Sequence, residues 1–283
     1  MALFSLLVAI MVERLKLLPD ALQLDNGLRW YQQQLFAGTL LQSAVGVLLA
    51  LLLPAVSVAV LLWVCGDWLF GLPTLLVWVA FATVCFSHQH QRAVFKHYMQ
   101  AACRGDTEAC YLYARELDCS ACLSAVSEKA LGASVGQMAA WINYRYYAAV
   151  ALFLILFGPV GVVLYCTVRF FAEERKRQNA PWPLLPELLY LLDWLPVRLV
   201  ALGYVFCGQF SSGFGRWREL ALDWRCKPRK IITQVAMAAE VMPEDNNAPV
   251  CVRSTLALLA LSKRNFVLLL TLLSLLTIFG LVR

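Results

Sequence analysis

Ionisable and amide side chains inside or beside long apolar stretches are the residues of this sequence best suited to chemistry. A charge at membrane depth is costly, so such a group is normally paired and is often functional. An arginine in that setting can also hold a carboxylate or phosphate through two parallel hydrogen bonds. We therefore predict a ligand-binding polar pocket near the cytoplasmic membrane face, formed by Glu13, Arg14, Asn143, Arg145, Asp193 and Arg198.

Asp193 and Arg198 flank a proline in an otherwise apolar stretch. Pro196 is expected to break the helix between them and to free backbone carbonyls, because proline has no N–H to donate. Arg198 could then bond a carbonyl or an anionic ligand. A structural network of polar groups and a true ligand site both remain open for this pair.

Cysteine and histidine residues raise the question of a metal site. Cys119 and Cys122 form a C-x-x-C pair, but Cys103 and Cys110 upstream are seven residues apart and supply no second pair. A structural zinc site needs about four converging ligands. We therefore predict no metal site and interpret the cysteines as reduced thiols.

Two common catalytic motifs are missing from the sequence. It contains no G-x-x-x-x-G-K-[ST] phosphate loop and no H-E-x-x-H pair. An ATPase or hydrolase of the usual soluble kind is therefore not expected, no catalytic residue can be named, and no cofactor is predicted.

Composition decides what kind of protein must position these residues. The 283-residue chain is 61% hydrophobic and 15% charged, whereas soluble domains average about 45–50% and about 25%. This excludes a soluble globular enzyme and predicts an all-α, polytopic membrane protein, a single integral membrane domain over residues 1–283. Its basic residues stand at the ends of apolar segments, which is typical of helix anchors and not of a nucleic-acid binder.

Four segments have the length and apolar character expected of membrane-spanning helices, and two more are ambiguous. The four are 41–64, 69–86, 148–171 and 265–282; the ambiguous ones are 1–18 and 187–210, giving four to six in all. Gly158 and Pro159 interrupt one segment, so that it contains either a kink or a re-entrant hairpin.

Polar regions connect these segments. Basic residues directly after 69–86 place the helical insertion 87–147 in the cytoplasm, by the positive-inside rule. Asp106 is a predicted N-cap for a helix ending near Leu117. The second polar region is 211–264, and the small residues Gly203 and Gly208 before it are predicted to permit close helix packing.

Four stretches of the sequence resemble one bacterial family. The segment 191–199 contains D-W-x-P-x-R-L, which is similar to a segment of the AmpE family of inner-membrane proteins, and 12–15, 71–78 and 141–147 resemble that family too. Their order, their spacing and the chain length agree, so the resemblance covers nearly the whole chain.

The resemblance implies a regulatory role at the bacterial inner membrane. It points to a sensor or effector that works with the amidase AmpD or other components of the muropeptide pathway, in β-lactamase induction and peptidoglycan recycling. ATP is implied by family analogy only. A more distant similarity to the CobD/CbiB enzymes of cobalamin synthesis, through their N-W-x-P-A-R-L segment, implies a membrane amide ligase as the alternative.

Overall fold

A computed structural model shows a chain built of helices. It describes residues 1–15, 19, 23–36, 39–66, 71–117, 127–241 and 250–280, and within these there is no β-strand. This confirms the predicted all-α class. The α-helices are α1 (Ala2–Leu15), α2 (Leu24–Leu35), α3 (Ala44–Cys65), α4 (Leu72–Phe86), α5 (Gln89–Arg104), α6 (Thr107–Glu116), α7 (Glu128–Asn143), α8 (Ala149–Gln178), α9 (Leu185–Cys207), α10 (Phe210–Ala221), α11 (Pro228–Ala239) and α12 (Val250–Ile278).

Five helical stretches of the described chain are long and apolar enough to cross a membrane, within the predicted four to six. They are Ala44–Cys65, Leu72–Arg104, Glu128–Gln178, Leu185–Cys207 and Val252–Ile278. The ambiguous segment 187–210 is therefore among them, while α1 is not. With 14 residues, α1 extends about 21 Å, less than the ~30 Å hydrocarbon core.

The chain divides into two compact units. The first comprises Met1–Ser87, Ala149–Trp194 and Leu272–Arg283, and the second comprises His88–Ala148 and Leu195–Thr271. In the first unit, one hydrophobic core joins α2, α3, α8 and the start of α9 through buried residues such as Leu28, Leu51 and Phe171. The Tyr31 hydroxyl donates to the Ala50 carbonyl at 3.1 Å, which fastens α2 to the predicted membrane helix α3.

A sharp bend interrupts α8 at Gly158. Its φ of 65° and ψ of −160° are not helical, and two separate helices meet there. The rings of Phe153 and Tyr165 stack with centroids 4.6 Å apart, although twelve residues of straight helix extend about 18 Å. The two arms of α8 thus fold towards each other, which is the geometry of a helical hairpin and not of a mild kink.

Pro196 does not break α9. The helix runs without interruption from Leu185 to Cys207 with the proline inside it. The sequence-based expectation of a break was therefore wrong, because a helix long enough to be held by its packing tolerates the one missing hydrogen bond. On an uninterrupted helix, residues five apart project about 140° from each other, so Asp193 and Arg198 face different neighbours.

In the second unit, small residues and local caps fix the packing. The predicted cap at Asp106 is confirmed, since its carboxylate accepts a hydrogen bond from the Ala109 amide at 3.0 Å. A Cβ on Gly136 of α7 would lie 3.1 Å from the Ser254 carbonyl oxygen of α12. The Thr255 hydroxyl donates to the Gly132 carbonyl at 2.9 Å across the same contact.

The predicted close packing at Gly203 and Gly208 is also confirmed in this unit. A Cβ on Gly203 would overlap the Asn265 side chain, and one on Gly208 would overlap the Ala239 carbonyl. Because glycine has no side chain, α12 and α11 can approach the chain at these two positions to within contact distance.

The bend at Gly158 can be tested with Gly158→Ala. Alanine rarely adopts this backbone conformation, and its Cβ would lie 3.0 Å from the Trp78 ring, so we expect the variant to lose roughly 1–3 kcal/mol of stability. The measurement is the thermal unfolding midpoint in one detergent. Gly27→Ala on α2 is the matched control, because a Cβ there meets nothing within 4 Å. An unchanged midpoint for Gly158→Ala would contradict the bend.

Candidate functional site

The six predicted site residues fall into two sets of three. Glu13, Arg14 and Asp193 belong to the first unit, whereas Asn143, Arg145 and Arg198 belong to the second. Each set is therefore described within its own unit, and the single pocket expected from the sequence stays a prediction.

Glu13 and Arg14 end α1 and have different surroundings. Glu13 is 9% exposed, while Arg14 is exposed. Consecutive helical residues project about 100° apart, so only one of the two can face the interior. Of these two residues Glu13 is the embedded charge, and Arg14 has the position of an anchor at a helix end.

Asp193 is a buried carboxylate held by a tyrosine. It is 2% exposed, and the Tyr165 hydroxyl donates to its Oδ1 at 3.1 Å. Tyr165 is itself fully buried and lies in the second arm of α8. The bend at Gly158 therefore places Phe153 on one side of the tyrosine ring, while the hydroxyl meets Asp193.

Sequence reasoning missed Tyr165. Its only signal in the sequence is a hydroxyl group inside an apolar run, which does not identify the partner of that hydroxyl. Arg169, one turn further along α8, is another charged residue of this unit and is not among the six predicted ligand-binding residues. Arg169 is 1% exposed and lies 3.8 Å from the Asp25 carboxylate of α2. That pair joins two helices of the first unit.

Arg198 is bound by backbone oxygens. Its Nε donates to the Ala221 carbonyl at 2.9 Å, and one Nη donates to the Asp223 carbonyl at 3.1 Å. The Trp217 indole N–H in turn donates a hydrogen bond to the Arg198 backbone carbonyl at 3.1 Å. Because Ala221 is the last residue of α10, Arg198 caps the end of that helix.

The electrostatics of this cap are favourable. The last carbonyls of a helix have no partner inside it and carry the negative end of its dipole. A guanidinium placed there satisfies those oxygens and neutralises the partial charge. The side chain is only 8% exposed, so water competes little for it. Of the two alternatives left open by the sequence, a structural network describes the observed contacts of Arg198.

Asn143 and Arg145 lie at a change of helix type. Residues Tyr144–Ala148 form a π-helix after α7, and such insertions are frequent at functional sites. The Arg145 guanidinium lies 5.7 Å from the centre of the Trp141 ring, within cation–π range. Trp141 also stacks on Tyr144 at 5.3 Å.

Aromatic contacts continue along the π-helix. His88, 3% exposed, stacks on Tyr146 at 4.9 Å and meets the Tyr147 ring edge-on at 4.7 Å. The Gln91 amide donates to the Tyr146 hydroxyl at 2.7 Å. The π-helix thus places one arginine beside several buried rings, and such a side chain can bind a planar or anionic group.

Asn265 is a second residue that sequence reasoning missed. It is 2% exposed, and its amide donates to the Val200 carbonyl at 3.0 Å, which joins α12 to α9 in the second unit. The sequence could have indicated it, because Asn265 is a polar residue at the start of the predicted spanning segment 265–282.

The described residues contain no group of three or more histidine, cysteine or acidic side chains that could hold a metal ion. The C-x-x-C pair at Cys119 and Cys122 lies outside the described residues.

Comparison with known proteins assigns the chain to a family. The family model described as "Regulatory signalling modulator protein AmpE" matches residues 1–282. The chain belongs to the AmpE family. Protein AmpE of Shigella flexneri is 27% identical to it over 292 residues, which covers 99% of each chain. No solved structure gives a significant match. The family description and the membrane helices together establish a multi-pass membrane protein of a regulatory signalling family.

The cap formed by Arg198 can be tested by substitution. Hydrogen bonds from a charged donor contribute about 1.5–3 kcal/mol each, so Arg198→Ala should lower both the yield and the unfolding midpoint. The unfolding midpoint of Arg198→Lys should lie between those of the wild type and Arg198→Ala, because a single ammonium cannot reproduce the forked geometry of the guanidinium. Arg115→Ala, an exposed arginine on α6, is the control. Equal midpoints for Arg198→Ala and the control would contradict the cap.

The contact between Tyr165 and Asp193 can be measured with a double-mutant cycle. Tyr165→Phe removes one hydrogen bond to a buried carboxylate and should cost about 1 kcal/mol or more. In the background of Asp193→Asn the same change should cost less, so the cycle should give a coupling of about 0.5 kcal/mol or more. Additive effects of the two substitutions in urea unfolding would show that the hydroxyl does not stabilise Asp193.

Proposed function

We propose that this protein is an inner-membrane regulator or sensor linked to β-lactamase induction and peptidoglycan recycling, and that it works with the AmpD amidase. The observation that carries the proposal is the match of residues 1–282 to a family described as a regulatory signalling modulator. The 27% identity over 99% of the chain to a protein of the same family supports it. In this proposal the protein acts by binding and not by turnover.

The contacts of Arg198 suggest how binding could be transmitted. Its guanidinium holds the carbonyls of Ala221 and Asp223 at the end of α10. A carboxylate or phosphate bound there would compete with those oxygens, since both prefer the same guanidinium donors. Ligand binding would then release the end of α10, a change that a partner protein could detect.

The six predicted residues keep their role within this proposal. Glu13, Arg14 and Asp193 of the first unit remain proposed ligand-binding residues, as do Asn143, Arg145 and Arg198 of the second unit. Muropeptides have carboxylate groups, which suit Arg145 and Arg198. Arg145 also has aromatic neighbours that could contact the rest of such a ligand.

The regulatory role is tested in cells that lack the gene. We expect its deletion to change β-lactamase activity after exposure to a β-lactam, and the intact gene to restore it. AmpD should copurify with the full-length protein from detergent extracts. If induction is unchanged and AmpD does not copurify, the proposed role is wrong. ADP release that depends on an amino alcohol and a corrinoid carboxylate would favour the alternative, a membrane amide ligase.

The topology is tested at Cys103. We propose that 87–147 lies in the cytoplasm, because basic residues follow the predicted span directly. Cys103 is exposed whereas Cys110 is buried, so Cys103 is the better reporter. A variant retaining only this cysteine should be labelled by a membrane-impermeant thiol reagent after permeabilisation but not in intact spheroplasts. Labelling in intact spheroplasts would reverse the orientation.

A further inference from the structure

A row of exposed aromatic rings continues from the end of α9 along α10. Phe206, Phe210 and Phe214 are 63%, 54% and 37% exposed. The ring centroids of successive residues are 6.2 Å and 5.4 Å apart, and Trp217 follows Phe214 at 5.8 Å. Neighbouring rings on one face form a continuous apolar surface, which is unfavourable in water and generally marks a contact with a partner or a membrane.

The position of this aromatic row along the chain indicates its depth in the membrane. α9 is one of the five candidate spans and ends at Cys207, and α10 begins only three residues later, at Phe210. α10 must therefore start close to where the span leaves the hydrocarbon core. Aromatic side chains with a polar group are enriched at that level of a bilayer. Trp217 is such a side chain, with an apolar ring and an indole N–H that donates to the Arg198 carbonyl.

Exposed basic residues follow the aromatic row along the chain. Arg218 lies one helical turn beyond Phe214 and is exposed, as are Arg225 and Lys227 after the helix. Between 210 and 230 the chain has six basic residues and two acidic ones. One of the six, Arg216, is already paired with Glu219 at 2.5 Å. A surface that is aromatic at one end and basic at the other is complementary to a bilayer with anionic headgroups.

We propose that α10 is an interfacial helix that binds anionic phospholipid. Phe206, Phe210 and Phe214 lie among the upper acyl chains, while Arg218 and Arg225 contact headgroup phosphates. A second copy of this chain would be a less suitable occupant, because the basic end of the surface would then meet basic residues again. The inference does not depend on the proposed regulatory function.

Photocrosslinking of the full-length protein tests the aromatic part. Benzoylphenylalanine in place of Phe210, in nanodiscs of phosphatidylcholine with phosphatidylglycerol, should yield a lipid adduct on irradiation. The same group in place of Leu112 is the control. Leu112 is similarly exposed, at 62%, but lies on α6, outside the five candidate spans. A crosslink from position 210 to a protein in place of lipid would overturn the proposal.

Lipid retention tests the basic part. We expect the Arg218→Gln, Arg225→Gln double variant to retain phosphatidylglycerol roughly fivefold more weakly for each charge removed, measured by native mass spectrometry against phosphatidylcholine. The matched control is the Arg104→Gln, Arg115→Gln double variant, which removes two exposed charges from α5 and α6. Equal retention of phosphatidylglycerol by the two double variants would show that α10 does not bind anionic lipid.

Discussion

The rest of this structure depends on one constraint: a polar side chain among apolar helices must find its partner within the chain. Unpaired buried charges and hydrogen-bonding groups cost several kcal/mol, and lipid offers them no alternative. Arg169 is paired with Asp25, Asp193 accepts from Tyr165, and Arg198 bonds to carbonyls at the end of α10. Each of these contacts joins two helices, so these polar side chains connect particular helices in addition to the hydrophobic packing.

Irregular backbone supports the same contacts. The bend at Gly158 folds α8 back on itself within the first unit and thereby brings Tyr165 against Phe153. The π-helix at Tyr144–Ala148 changes the direction of the side chains that follow α7, and His88 and Trp141 pack against its residues. Non-helical backbone in a membrane protein persists only where the protein itself covers it. Both features are therefore built into packed regions and do not face lipid as isolated defects.

In the proposed function, ligand binding would act on the structure at Arg198. A guanidinium that caps a helix stabilises one conformation, and an anion competing for it would favour another. This is a physical basis for signalling without turnover, in agreement with a family described as a regulatory signalling modulator. In the proposed interfacial position of α10, this one helix would connect the polar cap at Arg198 with the lipid surface.

The sequence by itself determined the class of protein, the approximate spanning segments, the cap at Asp106, the close packing at Gly203 and Gly208, and the family. These properties follow from composition, local hydrogen bonding and motif order, all of which are visible along the chain. Only the tertiary structure decided the form of the bend at Gly158, the continuity of α9 through Pro196 and the partners of the predicted site residues. Tyr165 is 28 residues from Asp193, and the partners of Arg198 are backbone carbonyls, which every residue carries. A contact to a group that all residues share, or to a distant tyrosine, leaves no local pattern, and it is established only when helices pack.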